Sequence, residues 1–263
     1  MASVVTRIKQ KQIAQLIEKG KRLDGRSPND YRELKIEQGI IERAEGSARV
    51  RLGNTEVVVG VKIENGTPFP DTPNEGVLTV NAELTPLASP AFEAGPPDAD
   101  SIELARIVDR GIRESKMIDT EKLCIEQGKK VFVVFVDIYV INHDGNLIDA
   151  SALAAVAALL NAKMSNYEIE DGEVKFKSGY TPLPIKQHPI TVTCARIGDK
   201  LIVDPGIDEE LVMDARLSMA IDDDGDIRAI QKGGAGYFTP EQVFEIAKLA
   251  KEKTKELRKK LDW

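Results

Sequence analysis

Lys130-Val131-Phe132-Val133-Val134-Phe135-Val136-Asp137-Ile138-Tyr139-Val140-Ile141 is a nearly unbroken apolar run, rich in Val, Phe and Ile. It ends at Asn142-His143-Asp144-Gly145-Asn146 and is followed by an Ala- and Leu-rich stretch from Asp149 to about Met164. A β-branched run of this length predicts a strand buried on both faces. The Asn/Asp/Gly cluster predicts a turn. The stretch after it is apolar on nearly every side, which predicts a helix in the middle of the fold with Asp149 as its cap. A buried strand leading into a buried helix sets the centre of the molecule.

Upstream, Thr6 to Lys19 predicts a helix with Ile8, Ile13, Leu16 and Ile17 as its apolar stripe and Gly20 as its stop. Ser47 to Leu52 and Glu56 to Ile63 read as strands of a hairpin turning at Gly53-Asn54, and Val77 to Leu84 as a further strand. The prolines of Thr67-Pro68-Phe69-Pro70-Asp71-Thr72-Pro73 make that segment a loop. Asp100 to Met117 predicts a helix capped by Asp100 or Ser101. Downstream, strands are expected at Val174 to Lys177, Ile190 to Ile197 and Lys200 to Asp204, the last two joined at Gly198-Asp199. A hairpin pairs Arg216 to Ile221 with Asp226 to Gln231. Thr239-Pro240-Glu241-Gln242 is a capping box that opens the last helix. Hairpins followed by helices, in both halves, give an α+β fold class. One unit of 263 residues is expected, with the helix at about 6–19, an N-terminal lobe at about 30–180 and a C-terminal lobe at about 185–263.

Thirty-six basic against 43 acidic residues give a net charge of −7, which excludes a broadly basic nucleic-acid binder, so any nucleic-acid contact must be local. The opening residues carry no apolar stretch of the signal-peptide kind, and the longest apolar runs are too short to span a bilayer. A cytoplasmic location with no membrane follows as the expectation. Cys124 and Cys194 read as buried small hydrophobes.

Asp222-Asp223-Asp224-Gly225-Asp226 lacks the alternating acids and the twelfth-place Glu of a calcium loop, so it reads as a solvated turn. His143 and His188 have no Cys or His at ligand spacing, and no Ser-His-Asp set is visible. Gly233-Gly234-Ala235-Gly236 lacks the Lys and Ser/Thr of a phosphate loop and reads as a strand-to-helix turn. Neither metal nor cofactor is expected. The helix at Asp100 to Met117 carries more. Leu104, Ile107, Val108 and Gly111 share one side, while Arg106, Arg110 and Arg113, spaced i, i+4, i+7, share roughly the opposite one. Such a row can grip successive phosphates. Glu103, Asp109 and Glu114 stand near enough to neutralise it, so spacing alone leaves both readings open.

Three runs together resemble the RNase PH family: Arg22-Leu23-Asp24-Gly25-Arg26, Ile102-Glu103-Leu104-Ala105-Arg106-Ile107-Val108-Asp109-Arg110, and Asp144-Gly145-Asn146-Leu147-Ile148-Asp149-Ala150-Ser151. The match spans Ile8 to Leu257 and looks most like the non-catalytic RNase PH-like subunits of the archaeal exosome. The resemblance implies two similar β–α lobes with mixed or antiparallel sheets packed on helices. It also implies a heterodimer with a catalytic RNase PH-like subunit, assembled as a trimer of dimers into a hexameric ring. That ring carries RNA-binding cap subunits and degrades single-stranded RNA from its 3′ end with inorganic phosphate.

Two departures from the catalytic pattern bear on the role. The family's Gly-Thr-Arg phosphate stretch falls on Asn146, Leu147 and Ile148, followed by Asp149. Leu and Ile offer no donors, and an acid at the helix start would oppose an anion by about 4 kcal/mol at 4 Å and surface-like dielectric. Asp204 keeps an acid, but the general-acid position falls on Arg216, which holds its proton at neutral pH. The resemblance therefore implies a subunit with no catalytic residues that scaffolds the ring, helps structure its active site and positions RNA through Arg106, Arg110 and Arg113. The alternative is an active phosphorolytic 3′-exoribonuclease using Asp204 and the neighbouring Asp214.

Overall fold

The computed structural model describes residues 4–170 and 173–260. The strand predicted from the apolar run is β6 (Lys130–Asn142), paired along its length with β3 (Thr55–Gly66) and in parallel with β4 (Val77–Leu84). β1 (Leu34–Gln38) and β2 (Gly46–Leu52) extend the sheet on the far side of β3, in the order β1-β2-β3-β6-β4, and the short β5 (Cys124–Glu126) joins β6. The β2–β3 hairpin turns at Gly53-Asn54 with Gly53 at φ +59, as a two-residue turn requires. The parallel β4–β6 pair, bridged by α2 (Ala99–Glu114), is one βαβ unit inside an otherwise antiparallel α+β sheet.

The second sheet, in the order β10-β9-β11-β12, comprises β9 (Ile190–Ile197), β10 (Lys200–Val203), β11 (Ala215–Ile221) and β12 (Ile227–Gly233). Between the sheets runs α3 (Leu147–Asn161), buried at every residue from Ile148 to Leu159. It packs on β2 and β3 with one flank and on β9 with another. Gly46 of β2 lets the strand come this close: a Cβ there would stand 2.4 Å from the Ala158 carbonyl oxygen and 2.8 Å from Ala162 Cβ. Val57, Val59, Val134, Val136, Leu153, Val192, Met219 and Ile246 belong to one apolar core that crosses from sheet to sheet through this helix. Each such side chain contributes on the order of 1.5–3 kcal/mol on burial.

The capping expectations need correction at two helices. The cap of α2 is Asp98, whose carboxylate accepts from the Ser101 N–H at 2.8 Å. Pro97-Asp98-Ala99-Asp100-Ser101 offers several cap residues in a row, and sequence does not rank them. The cap of α3 is Asn146, in the left-handed region at φ 52, and Asp149 lies one turn inside the helix. The helix also ends at Asn161, because Lys163 and Met164 enter β7 (Lys163–Glu170), which forms a two-stranded ribbon with β8 (Glu173–Pro182). Cys194 is buried, whereas Cys124 is only half-buried at the sheet margin.

Helix α1 (Val4–Glu18) packs on the second sheet, not the first: Ile13 and Ile17 contact Ala195, Ile197 and Ile202. Leu16 is half-buried, and the side chain of Ile8 lies outside the described ones. The chain then returns across the junction of the two sheets to reach β1, next to the four-residue turn of helix α4 (Ile207–Glu210).

Candidate functional site

Two loops meet beside the N-terminus of α3, 144–149 from the first lobe and 204–210 from the second. They approach so closely that a Cβ on Gly145 would lie 2.5 Å from the Gly206 carbonyl carbon, and Gly145 sits at φ +87. At their centre Asp204 is fully buried and also has a positive φ of 51. Arg32 grips it in a fork, Nη2 to Oδ1 at 2.7 Å and Nε to Oδ2 at 2.9 Å, and adds its backbone N–H at 2.9 Å. Arg26 donates from Nη1 at 2.9 Å and Asn146 from Nδ2 at 2.8 Å. Burial alone would raise the Asp204 pKa; the Arg32 guanidinium overrides it, and the carboxyl titrates below its usual range. Arg22 is buried beside it, forked onto Glu209 and donating to the carbonyls of Val203 and Asp204 at 2.9 and 2.8 Å.

Asp149 is buried one turn into α3. Its carboxylate accepts from Tyr31 Oη at 2.7 Å, Asn146 Nδ2 at 2.9 Å, and Thr193 N and Oγ1 at 3.0 and 2.7 Å. Burial pushes its pKa up to about 6, opposed by these four donors. The expectation that Asp149 places charge at the mouth of an anion site is thus overturned: this acid faces the interior. Asp204, kept from the catalytic pattern, is likewise fully committed to Arg32, Arg26 and Asn146.

Other acids face the N-terminus of α3. A pocket of about 170 Å³ is lined there by Leu147 and Ile148, by Asp100, Glu103, Leu104 and Ile107 of α2, and by Glu210 and Arg216. Phe92 and His143 stack at its edge with centroids 5.4 Å apart, and burial holds the His143 pKa below its ordinary value. Glu210 accepts the Asn146 N–H at 2.9 Å, and desolvation pushes its pKa up to about 7. Arg216 donates to Glu103 Oε2 at 2.7 Å. Asp100 and Glu103, with a Glu210 that carries only part of its charge near neutrality, face one guanidinium, and apolar side chains stand where donors would be needed, so the pocket is a poor seat for phosphate. Asp214 does not line this pocket; its carboxylate accepts the Gly198 N–H at 2.9 Å, at the β9–β10 turn.

The three α2 arginines do not share one fate. Leu104, Ile107, Val108 and Gly111 are buried, as their spacing predicts, and all three arginines are exposed. Arg113 is tied down by Asp109, at 2.7 and 3.1 Å, and by the Leu78 carbonyl at 3.1 Å. Arg106 and Arg110 make no hydrogen bond or ion pair with any described residue. The turn at Asp222–Asp226 is occupied internally: Asp222 pairs with Arg228, and Asp223 with Arg258 and His188. The glycine run 233–236 packs on β11, where a Cβ at Gly234 or Gly236 would meet the Asp214 carbonyl oxygen at 2.9 or 2.7 Å.

Sequence reasoning missed the knot of Arg22, Arg26, Arg32, Asp204 and Glu209. Only the prominence of Arg22 and Arg26 in a recurring run hinted at it, and no local pattern joins residues 187 positions apart. Thr193 and Ser218, hydrogen-bonded at 2.7 Å under Asp149, left no signal.

Two family models match the chain: the 3′ exoribonuclease family domain 1 at residues 30–165 and domain 2 at residues 187–253. The exosome complex component Rrp42 of Thermococcus kodakarensis is 54% identical over 260 residues, covering 98% of this chain and 96% of that protein. A chain of the Archaeoglobus fulgidus exosome with RNA bound to the active site superposes with a TM-score of 0.91 at 45% identity, covering 99% of this chain and all of that one. A chain of an archaeal exosome core gives a TM-score of 0.87 at 41% identity, covering 99% of this chain and 98% of that one. On both halves, in sequence and in architecture, the chain belongs to the RNase PH-type 3′ exoribonuclease family.

Proposed function

We propose that this chain is a non-catalytic, Rrp42-type subunit of an archaeal exosome, working as one two-lobed unit. It alternates in a hexameric ring with a catalytic RNase PH-like partner, beneath RNA-binding cap subunits. Arg106 and Arg110 hold the phosphates of single-stranded RNA while the partner cleaves the 3′ end with inorganic phosphate. Contacts to phosphate rather than to base edges suit an exonuclease that must pass every sequence. Two arginines with no partner among the described residues, on a chain of net charge −7, give focused attraction within an acidic surface. Among the described residues no helix is long and apolar enough to cross a membrane, and we place the work of the complex in the cytoplasm.

The observation that carries the reading is the pocket at the α3 N-terminus, which presents Asp100, Glu103 and Glu210 where an attacking phosphate would have to sit. Arg216 stands where the family pattern places its general acid and pairs with Glu103, and Asp214 lies outside the pocket. The test is activity with and without a catalytic RNase PH-like subunit. The purified chain alone should release no nucleoside diphosphates from single-stranded RNA in inorganic phosphate, and the mixed complex should. Phosphate-dependent trimming by the chain alone would return the catalytic alternative.

A further inference from the structure

Arg216 is left without a task by this reading, yet its surroundings are built around it. On β11 it stands between Ala195 of β9 and Gly233 of β12. A Cβ on Gly233 would lie 2.7 Å from Arg216 Nε and 2.9 Å from its Cζ, so the guanidinium crosses β12 through the gap that this glycine leaves. Beyond the gap it reaches Glu103 of α2 at 2.7 Å, and its Nε is buried without a hydrogen-bond partner among the described residues. Its charge also acts on Glu210.

Glu103 lies one helical turn before Arg106 and two before Arg110, within about 60° of both around the axis. Further along, α2 rests on the second sheet through Gly111, where an added Cβ would stand 3.5 Å from Ala220 Cβ and 3.7 Å from Thr191 Oγ1. A close approach at Gly111 and an ion pair at Glu103 are two separate points of attachment on one helix. With the buried face of α2 already packed on β4 and α3, these two attachments determine how the helix lies against the second sheet and add a polar tie on the side that carries the arginines.

We propose that Arg216 is a positioning residue: through Glu103 it sets how α2 lies on the second lobe and so aims Arg106 and Arg110 at the RNA. The proposal rests on the RNA-holding role given to those two arginines. It turns the former general-acid position into a strut for the neighbouring subunit's substrate.

The test uses the complete complex with its catalytic subunit, a single-stranded RNA oligonucleotide and inorganic phosphate. Glu103→Gln and Arg216→Gln should each raise KM for RNA about two- to fivefold, the scale on which a partly exposed ion pair acts. kcat and KM for phosphate should hold. The reciprocal double substitution, Glu103→Arg with Arg216→Glu, should recover much of the lost KM. An unchanged KM in the single variants, or no recovery in the double, overturns the strut. So does a fall in kcat or a changed KM for phosphate in Arg216→Gln, because the guanidinium would then act on the reaction itself. Arg106→Glu in parallel separates the two ideas: if it raises KM while the Gln variants do not, the strut alone falls, and if it too is silent, the RNA-holding role falls with it.

Discussion

Arg32 and Arg106 carry the same guanidinium into opposite circumstances. Arg32 is held by Asp204, the carbonyls of Asp144 and Gly145, and Thr55, at the seam of two lobes. Arg106 projects from α2 with no partner among the described residues. The acids divide in the same way. Asp204 meets two guanidinium groups and its pKa falls, whereas Asp149 meets only neutral donors and its pKa rises. Charge that is paired inside the chain stabilises the fold, and charge left unpaired outside is available to a ligand. The family's substrate is a polyanion, so the unpaired arginines, not the conspicuous buried ones, are the candidates for function.

The largest test of that division is Asp204→Ala, which strands Arg32 and Arg26 in a buried site. Unfolding in denaturant should show a loss of about 3–5 kcal/mol. A loss below about 1 kcal/mol would mean that water replaces the carboxylate and the knot is ornamental.

Next comes pH. The folded chain holds the Asp149 proton up to about pH 6, the unfolded chain only to its ordinary value near 3.8. Between those values the folded state binds more protons, so this group's stabilisation is present at low pH and is lost as pH rises. Asp204 works in reverse, stabilising above its ordinary value and failing as pH falls through its depressed one. Stability should therefore peak on the acid side of neutrality and decline by about 1–3 kcal/mol towards pH 7, with half-buried Glu210 adding less. Asp149→Asn should flatten that decline; an unaltered slope would show that another group causes it.

Smaller in energy, but specific to the exposed arm, is the salt dependence of RNA binding. Replacing Arg106 and Arg110 with Ala should cut affinity of the complex about tenfold and lower the slope of log K against log salt by about 1.4, near 0.7 per phosphate contact. Thermal stability should move by less than about 0.5 kcal/mol. Ring assembly, followed by mass, should persist; a complex that falls apart would identify these arginines as partners of interface acids. The smallest effect belongs to Arg113→Ala. Its ion pair with Asp109 is exposed, so stability should change by about 0.5 kcal/mol or less and the salt slope should not change.

What was legible in the sequence follows from how local each cause is. β4 falls at Val77–Leu84, as its pattern predicts. The capping box of α5 (Pro240–Lys260) is seen atom by atom, with Gln242 Oε1 accepting from the Thr239 N–H at 3.0 Å and Thr239 Oγ1 from the Gln242 N–H at 3.3 Å. Both depend on neighbours within a few positions. The ribbon of β7 and β8 was half missed because Lys163-Met164-Ser165 has little strand preference and is a strand only by pairing with Tyr180 to Pro182. The inward turn of Asp149 was illegible for a related reason. It is set by Tyr31 and Thr193, which are 118 and 44 residues away. The arginine helix was legible as a face, but spacing did not say which arginine is spent on the chain itself: Asp109, four residues back, and the Leu78 carbonyl on β4 together hold Arg113.

The seating of α1 has a consequence for how the chain comes off the ribosome. Ile13 and Ile17 emerge early, but their partners Ile197 and Ile202 are translated far later. At bacterial-like rates the gap of roughly 180 residues lasts about 10 to 40 seconds. A 15-residue helix is marginal by itself in water, so the segment has nothing to fold onto for all that time. Helix α1 thus settles long after it is made, and its docking reports that β9 and β10 have formed.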